Sequence, residues 1–156
     1  MIRIHAVPAL PASTARLLAD LLDGEIAVRS EDPPERVSLD LAVLDDAGMV
    51  RLNARHTGRD GVTDVLAYPD GAIDPDDGCR RLGDVAINRD LAAREARDRG
   101  VDAAGELALY AVHGLLHILG FDDHDPDDRT AMRRAEAAAL ARHGITPQWD
   151  AETDGD

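Results

Sequence analysis

An apolar run broken by two histidines sets the terms for this fold: Leu107-Ala-Leu-Tyr-Ala-Val-His113-Gly-Leu-Leu-His117-Ile-Leu, continued by Gly120-Phe-Asp-Asp-His124. An α-helix repeats every 3.6 residues, so His113 and His117 share one face of a helix. Burying two imidazoles side by side is costly unless something partners them. Gly120 stands where such a helix would end, because glycine accepts the left-handed conformation that closes a last turn. A chain reversed there carries His124 back over the same face. Three imidazoles meeting at one point make a metal site with an open fourth position, the pattern of catalytic rather than structural zinc. Nickel, copper and iron suit the same donors.

A cation held this way activates water and polarises a carbonyl or phosphoryl oxygen, so hydrolysis is the natural reaction class. The metallopeptidase pattern H-E-x-x-H needs Glu directly after the first His as general base. This chain has Gly114 there, which counts against a peptidase.

The rest of the chain reads as one domain over 1–145 with an acidic tail over 146–156. Residues 2–6, 37–43, 63–69 and 83–88 read as strands. Helices are expected over 12–23, stopped by Gly24, and over 47–57, 89–99, 103–119 and 126–143. The segment 70–81, rich in Asp, Gly and Pro, reads as a loop. Strands and helices mix without strict alternation, which predicts an α+β fold: a small mixed sheet of about four strands with helices packed on it. His5 reads as structural.

With 31 acidic and 17 basic residues the net charge is −14. That argues against a general nucleic-acid binder, whose footprint is a basic surface. A local basic cleft is still compatible with it. Arg51 and Arg55 share a helix face, and Arg59 comes next at the same spacing. The stripe is either a solvated face or a phosphate clamp, since guanidinium forks pair with phosphate oxygens. The single Cys79 excludes an internal disulfide and suits a reducing cytosol. No secretory leader and no membrane span is visible, so a cytoplasmic location is expected.

Three blocks of this sequence resemble the YbeY family of metal-dependent endoribonucleases. The first is His113-Gly-Leu-Leu-His117-Ile-Leu-Gly120-Phe-Asp122 with His124 beyond. The second runs from Leu52-Asn53 through Asp60 to Thr63-Asp64-Val-Leu-Ala-Tyr-Pro69. The third is Leu82-Gly83-Asp84-Val-Ala-Ile87. The resemblance implies an α+β fold, zinc held by His113, His117 and His124, and cleavage of single-stranded RNA. It further implies maturation of the small-subunit ribosomal RNA 3′ end and ribosome quality control, with ribosomal RNA and small-subunit proteins as partners.

Two departures from the family pattern matter. Asp123 is inserted before His124, so either His124, the favoured reading, or Asp123 itself takes the third ligand position. A Tyr-Arg pair of the family reads His56-Thr57 here, so the expected Arg is absent. Arg59 is the substitute phosphate contact and catalytic candidate, with Arg51 and Arg55 as RNA contacts. Asp64 and Asp84 match family carboxylates, and each either orients a ligand histidine or makes turn hydrogen bonds; of the two, Asp64 joins Arg59 as a catalytic candidate. Two rival readings are a non-catalytic ribosome-assembly factor with a structural metal, for which the acidic body is suited, and the weaker peptidase.

Overall fold

The computed structural model describes residues 1–58 and 61–149. The elements run β1 (Ile2–Ala6), α1 (Ala12–Arg29), a 3-10 turn (Pro34–Arg36), β2 (Val37–Leu44), α2 (Asp46–Thr57), β3 (Val65–Pro69), β4 (Arg80–Asn88), α3 (Arg89–Arg99), α4 (Ala103–Ile118) and α5 (Pro126–Ala141). The strands form one sheet in the order β1-β2-β4-β3, with β1, β2 and β4 parallel and β3 antiparallel at the edge. This is the predicted α+β fold with a four-stranded mixed sheet.

β2 shows why the sheet has two different faces. Its Leu39, Leu41 and Val43 are at most 2% exposed, whereas Asp40 and Ala42 between them point to the other side, as the pleat requires. Val85 and Ile87 of β4 stand in register with Leu41 and Val43 and extend the apolar face. Helix α4 packs across β3 and β4, and α1, α3 and α5 pack against α4. Leu18, Leu22, Leu115, Leu116 and Leu140 are fully buried in that layer.

Two glycines show how close the layers come. A Cβ on Gly114 would stand 2.5 Å from Val85 Cγ1 and 3.1 Å from Val65 Cγ1, so α4 can lie on the sheet only without a side chain there. Gly83 has φ +153°, and a Cβ on it would run into the Tyr68 carbonyl oxygen of β3. It comes just after a bulge at which Leu82 is skipped in the β2–β4 pairing, the kind of site that calls for glycine.

Helix α1 does not stop at Gly24 but continues to Arg29. An interior glycine costs about 1 kcal/mol, and the tertiary contacts of the last turn outweigh that cost. Ile26 is fully buried. The carboxylate of Glu25, 1% exposed, accepts from Arg29 Nε at 2.7 Å and from an Arg142 guanidinium nitrogen at 2.6 Å. Strand β3 begins at Val65 rather than at residue 63, because Asp64 Oδ1 accepts the Val65 N–H at 2.8 Å and closes a local turn. Strand β4 starts earlier, at Arg80, which also bridges Ile73 inside the expected loop. Helices α4 and α5 end at Ile118 and Ala141, one and two residues before the expected positions. No described helix is long and apolar enough to cross a membrane.

Candidate metal centre

Helix α4 starts at a capping aspartate, Asp102, whose side chain accepts the Ala104 N–H at 3.0 Å. It ends in the expected glycine stop. The Gly120 N–H donates to His117 O at 3.1 Å, the Phe121 N–H donates to Leu116 O at 2.9 Å, and Gly120 has φ +104°. That pair of bonds is a Schellman motif, which satisfies the last carbonyls and turns the chain back along the helix.

The returning chain delivers Asp123 to the histidines. Asp122 Oδ1 accepts the Asp123 N–H at 2.7 Å, and this small turn directs the Asp123 carboxylate inward. Its Oδ2 lies 3.8 Å from His113 Nε2 and 3.7 Å from His117 Nε2, and the two nitrogens are 3.1 Å apart. His124 is carried one residue past this position. Its side chain is 86% exposed, with Nε2 3.3 Å from Asp122 Oδ1. The structure therefore brings Asp123, not the favoured His124, to the histidine pair. The inserted residue occupies the point where the turn meets the helix face.

These separations suit a small cation. Tetrahedral donors at about 2.0–2.1 Å from zinc lie roughly 3.4 Å from one another, and the three observed distances bracket that value. The protonation pattern agrees. His113 Nδ1 donates to Glu136 Oε1 at 2.7 Å, so in the neutral ring Nε2 carries the lone pair and faces its counterpart on His117. Two nitrogens 3.1 Å apart need a proton or a cation between them. Imidazole with carboxylate suits zinc and other divalent transition metals.

Glu136, on α5, is a residue of the candidate site that sequence reasoning missed. It is 3% exposed, and its second oxygen accepts from Trp149 Nε1 at 3.3 Å. A carboxylate behind a ligating histidine fixes its tautomer and orientation. Burial pushes the His113 pKa down, but the Glu136 hydrogen bond and charge, helped by Asp64 and Asp123, carry it above the ordinary imidazole value.

His113 and Asp123 open onto a cavity of about 400 Å³, lined also by Glu136, Asp64, Tyr110 and Trp149, among others. Burial, then the Glu106 charge, pushes the Tyr110 hydroxyl well above its usual pKa, so it stays protonated. Asp64 is thus beside the candidate centre, at the start of β3. Asp84 is not: it lies on the opposite face of the sheet, 3.4 Å from an Arg81 guanidinium nitrogen. Arg51 and Arg55 are exposed on α2 and do not line the cavity. His56 stacks on Tyr68 with ring centroids 4.4 Å apart. Arg59 falls outside the described residues.

Fold and site together define an α+β protein whose central helix and returning turn bring two histidines and a carboxylate together as a candidate metal site beside an open cavity. The overall fold is shared with TM1509 of Thermotoga maritima, known from a solution structure, at a TM-score of 0.62 over 97% of this chain and 98% of that one, with 19% identity. The family model described as endoribonuclease YbeY matches residues 11–144. A protein named endoribonuclease YbeY from Roseiflexus castenholzii is 35% identical over 147 residues, 90% of this chain and 92% of that protein. Another of that name from Maricaulis maris is 33% identical over 137 residues, 86% of this chain and 83% of that one. The chain belongs to the YbeY family.

Proposed function

We propose that this protein is a metal-dependent endoribonuclease that hydrolyses single-stranded RNA, with zinc as its cation. Family membership supports the RNA-cleaving activity. The observation that carries the metal dependence is the approach of His113 Nε2, His117 Nε2 and Asp123 Oδ2 to within 3.8 Å of one another at the edge of a cavity. The finer proposal is maturation of the small-subunit ribosomal RNA 3′ end and ribosome quality control in the cytoplasm. Its partners would be ribosomal RNA and small-subunit ribosomal proteins.

The bound cation would supply Lewis-acid polarisation of a phosphoryl oxygen and activation of water. The chain's own residues do the rest. His113, His117 and Asp123 hold the ion, with His124 the alternative third ligand. Glu136 keeps His113 Nδ1 protonated and its ring in place. Asp64, the cavity carboxylate at the start of β3, is the proposed acceptor for the proton lost by the attacking water. The water oxygen bonds to phosphorus as the bond to the ribose oxygen of the leaving strand breaks. Arg51, Arg55 and Arg59 are the proposed outer RNA contacts.

The peptidase alternative meets a steric obstacle. A glutamate at position 114 would drive its Cβ to 2.5 Å from Val85 Cγ1, so that general base has no room on this helix.

The test compares rigorously purified wild-type protein with His117→Ala, each loaded with zinc, on an RNA presented single-stranded and as a duplex. The expected result is cleavage of the single strand only, lost in the variant. Cleavage that persists in His117→Ala, or no cleavage by the wild type, overturns the reading.

A further inference from the structure

Three guanidinium groups line the cavity, and they are not in the same situation. Arg99 pairs with Glu95 at 3.0 Å and Glu106 at 2.9 Å. Arg133 lies over the Trp149 ring, 5.1 Å from its centroid. Arg129 lines the same cavity as His113 and Asp123. Its side chain makes no hydrogen bond or ion pair among the described residues, and its Nε is buried without a partner.

Buried donors in folded proteins nearly always have an acceptor, so an orphan at the wall of a cavity calls for one that comes from outside. The position in the helix points the same way. Arg129 is the fourth residue of α5, close to the end where the macrodipole disfavours a cation. Asp125 acts on it electrostatically without forming an ion pair. The acceptor that best matches a planar guanidinium fork is a carboxylate or a phosphate. The cavity is already lined by carboxylates of the chain, Asp64, Asp123 and Glu136 among them, and none of these has paired with Arg129. Nor does Thr57 supply a cation: its hydroxyl is turned back onto its own helix, donating to Asn53 O at 2.7 Å.

We propose that Arg129 is a phosphate-contacting residue of this cavity, pairing with non-bridging oxygens of the RNA backbone beside His113 and Asp123. The RNA in this statement rests on the endoribonuclease reading; the phosphate chemistry rests on the cavity alone.

The test uses the full chain with Arg129→Gln and Arg129→Lys. Binding of a fluorescent single-stranded RNA is measured across salt concentrations, together with its cleavage and the zinc content. Pyrophosphate is titrated separately and followed by the emission of Trp149, the only tryptophan of the chain and a residue of the same cavity. Arg129→Gln should weaken RNA binding at least tenfold and lower the salt slope of log Kd by about 0.7, the loss of one single-strand phosphate contact. Arg129→Lys should recover part of the affinity. Zinc content should be unchanged, and the thermal midpoint should not fall, because an unpartnered donor has been removed.

If the wild type cleaves RNA and Arg129→Gln binds and cleaves it equally well, the assignment fails and the endoribonuclease reading stands. If the wild type leaves RNA intact, while pyrophosphate changes Trp149 emission in the wild type but not in Arg129→Gln, the endoribonuclease reading fails and the assignment stands. No response to either probe in the wild type overturns both. A lower midpoint with unchanged RNA affinity marks a purely structural cation and overturns the assignment.

Discussion

The two faces of the sheet carry similar residues in opposite states. On the open face, Arg81 is shared among Asp40, Asp70 and Asp84, each at 3.4 Å, and Asp40 also meets His5 Nε2 at 2.9 Å. Charge there is answered by charge within the protein. On the helical side, two imidazole nitrogens point at each other, a carboxylate approaches both of them, and Arg129 Nε has no acceptor. Histidine, aspartate and arginine occur on both faces, so composition does not distinguish them. Buried polar atoms without a hydrogen-bond partner also occur on both, Arg129 Nε on the helical side and the Tyr68 hydroxyl and Arg81 Nε on the open face. What marks the helical side as the candidate site is the convergence of two imidazole nitrogens and a carboxylate on one point.

The contrast is tested hardest at the residue that completes the histidine pair. Asp123→Ala should weaken zinc binding at least 100-fold in a chelator-competition titration, whereas His124→Ala should stay within about threefold, consistent with the loss of a ligand against the loss of an exposed side chain. The reverse pattern would return the third position to His124. Next in size is Glu136→Gln, which keeps the shape and removes the charge. It should cost 10–100-fold in zinc affinity with the fold intact by circular dichroism. The same carboxylate raises the His113 pKa, and a protonated ring cannot ligate. Zinc affinity should therefore begin to fall, as pH is lowered, from above the ordinary imidazole value of about 6.5.

Between the faces lies Gly114, where α4 presses on Val85. Gly114→Ala should destabilise the protein by about 1–3 kcal/mol in denaturant titration, an overpacking cost. The smallest effect belongs to the open face. Asp84 is 52% exposed and Arg81 34%, so Asp84→Asn should change stability by less than about 1 kcal/mol and leave zinc affinity unaltered. A loss of zinc affinity in that variant would join the two faces and undo the contrast.

Much of the fold was legible in the sequence because the signals are local. Alternation in 37–43 and the glycine stops at Gly100 and Gly120 act over a few residues, and the structure obeys them. Gly24 misled because the burial of Ile26 and the Glu25–Arg142 bond, which spans 117 positions, are tertiary and outweigh a local preference. The choice between Asp123 and His124 depended on the Asp122 side chain turning back onto the Asp123 N–H, which spacing does not encode. Glu136 stands 23 positions from His113, in an Ala- and Arg-rich helix where it reads as one more surface acid. Asp64 and Asp84 looked equivalent, but Asp84 stands within β4 and faces the open side, whereas Asp64 lies just before β3, outside the alternation of the strand, and lines the cavity.

Anomalous scattering at the zinc edge, from crystals of the zinc-loaded protein, addresses the ligand set without an intermediary. The expected result is one cation bound by His113 Nε2, His117 Nε2 and Asp123 Oδ2, with an open side toward Arg129. An ion held instead by His124, or bound elsewhere with the two histidine rings pointing apart, would contradict it.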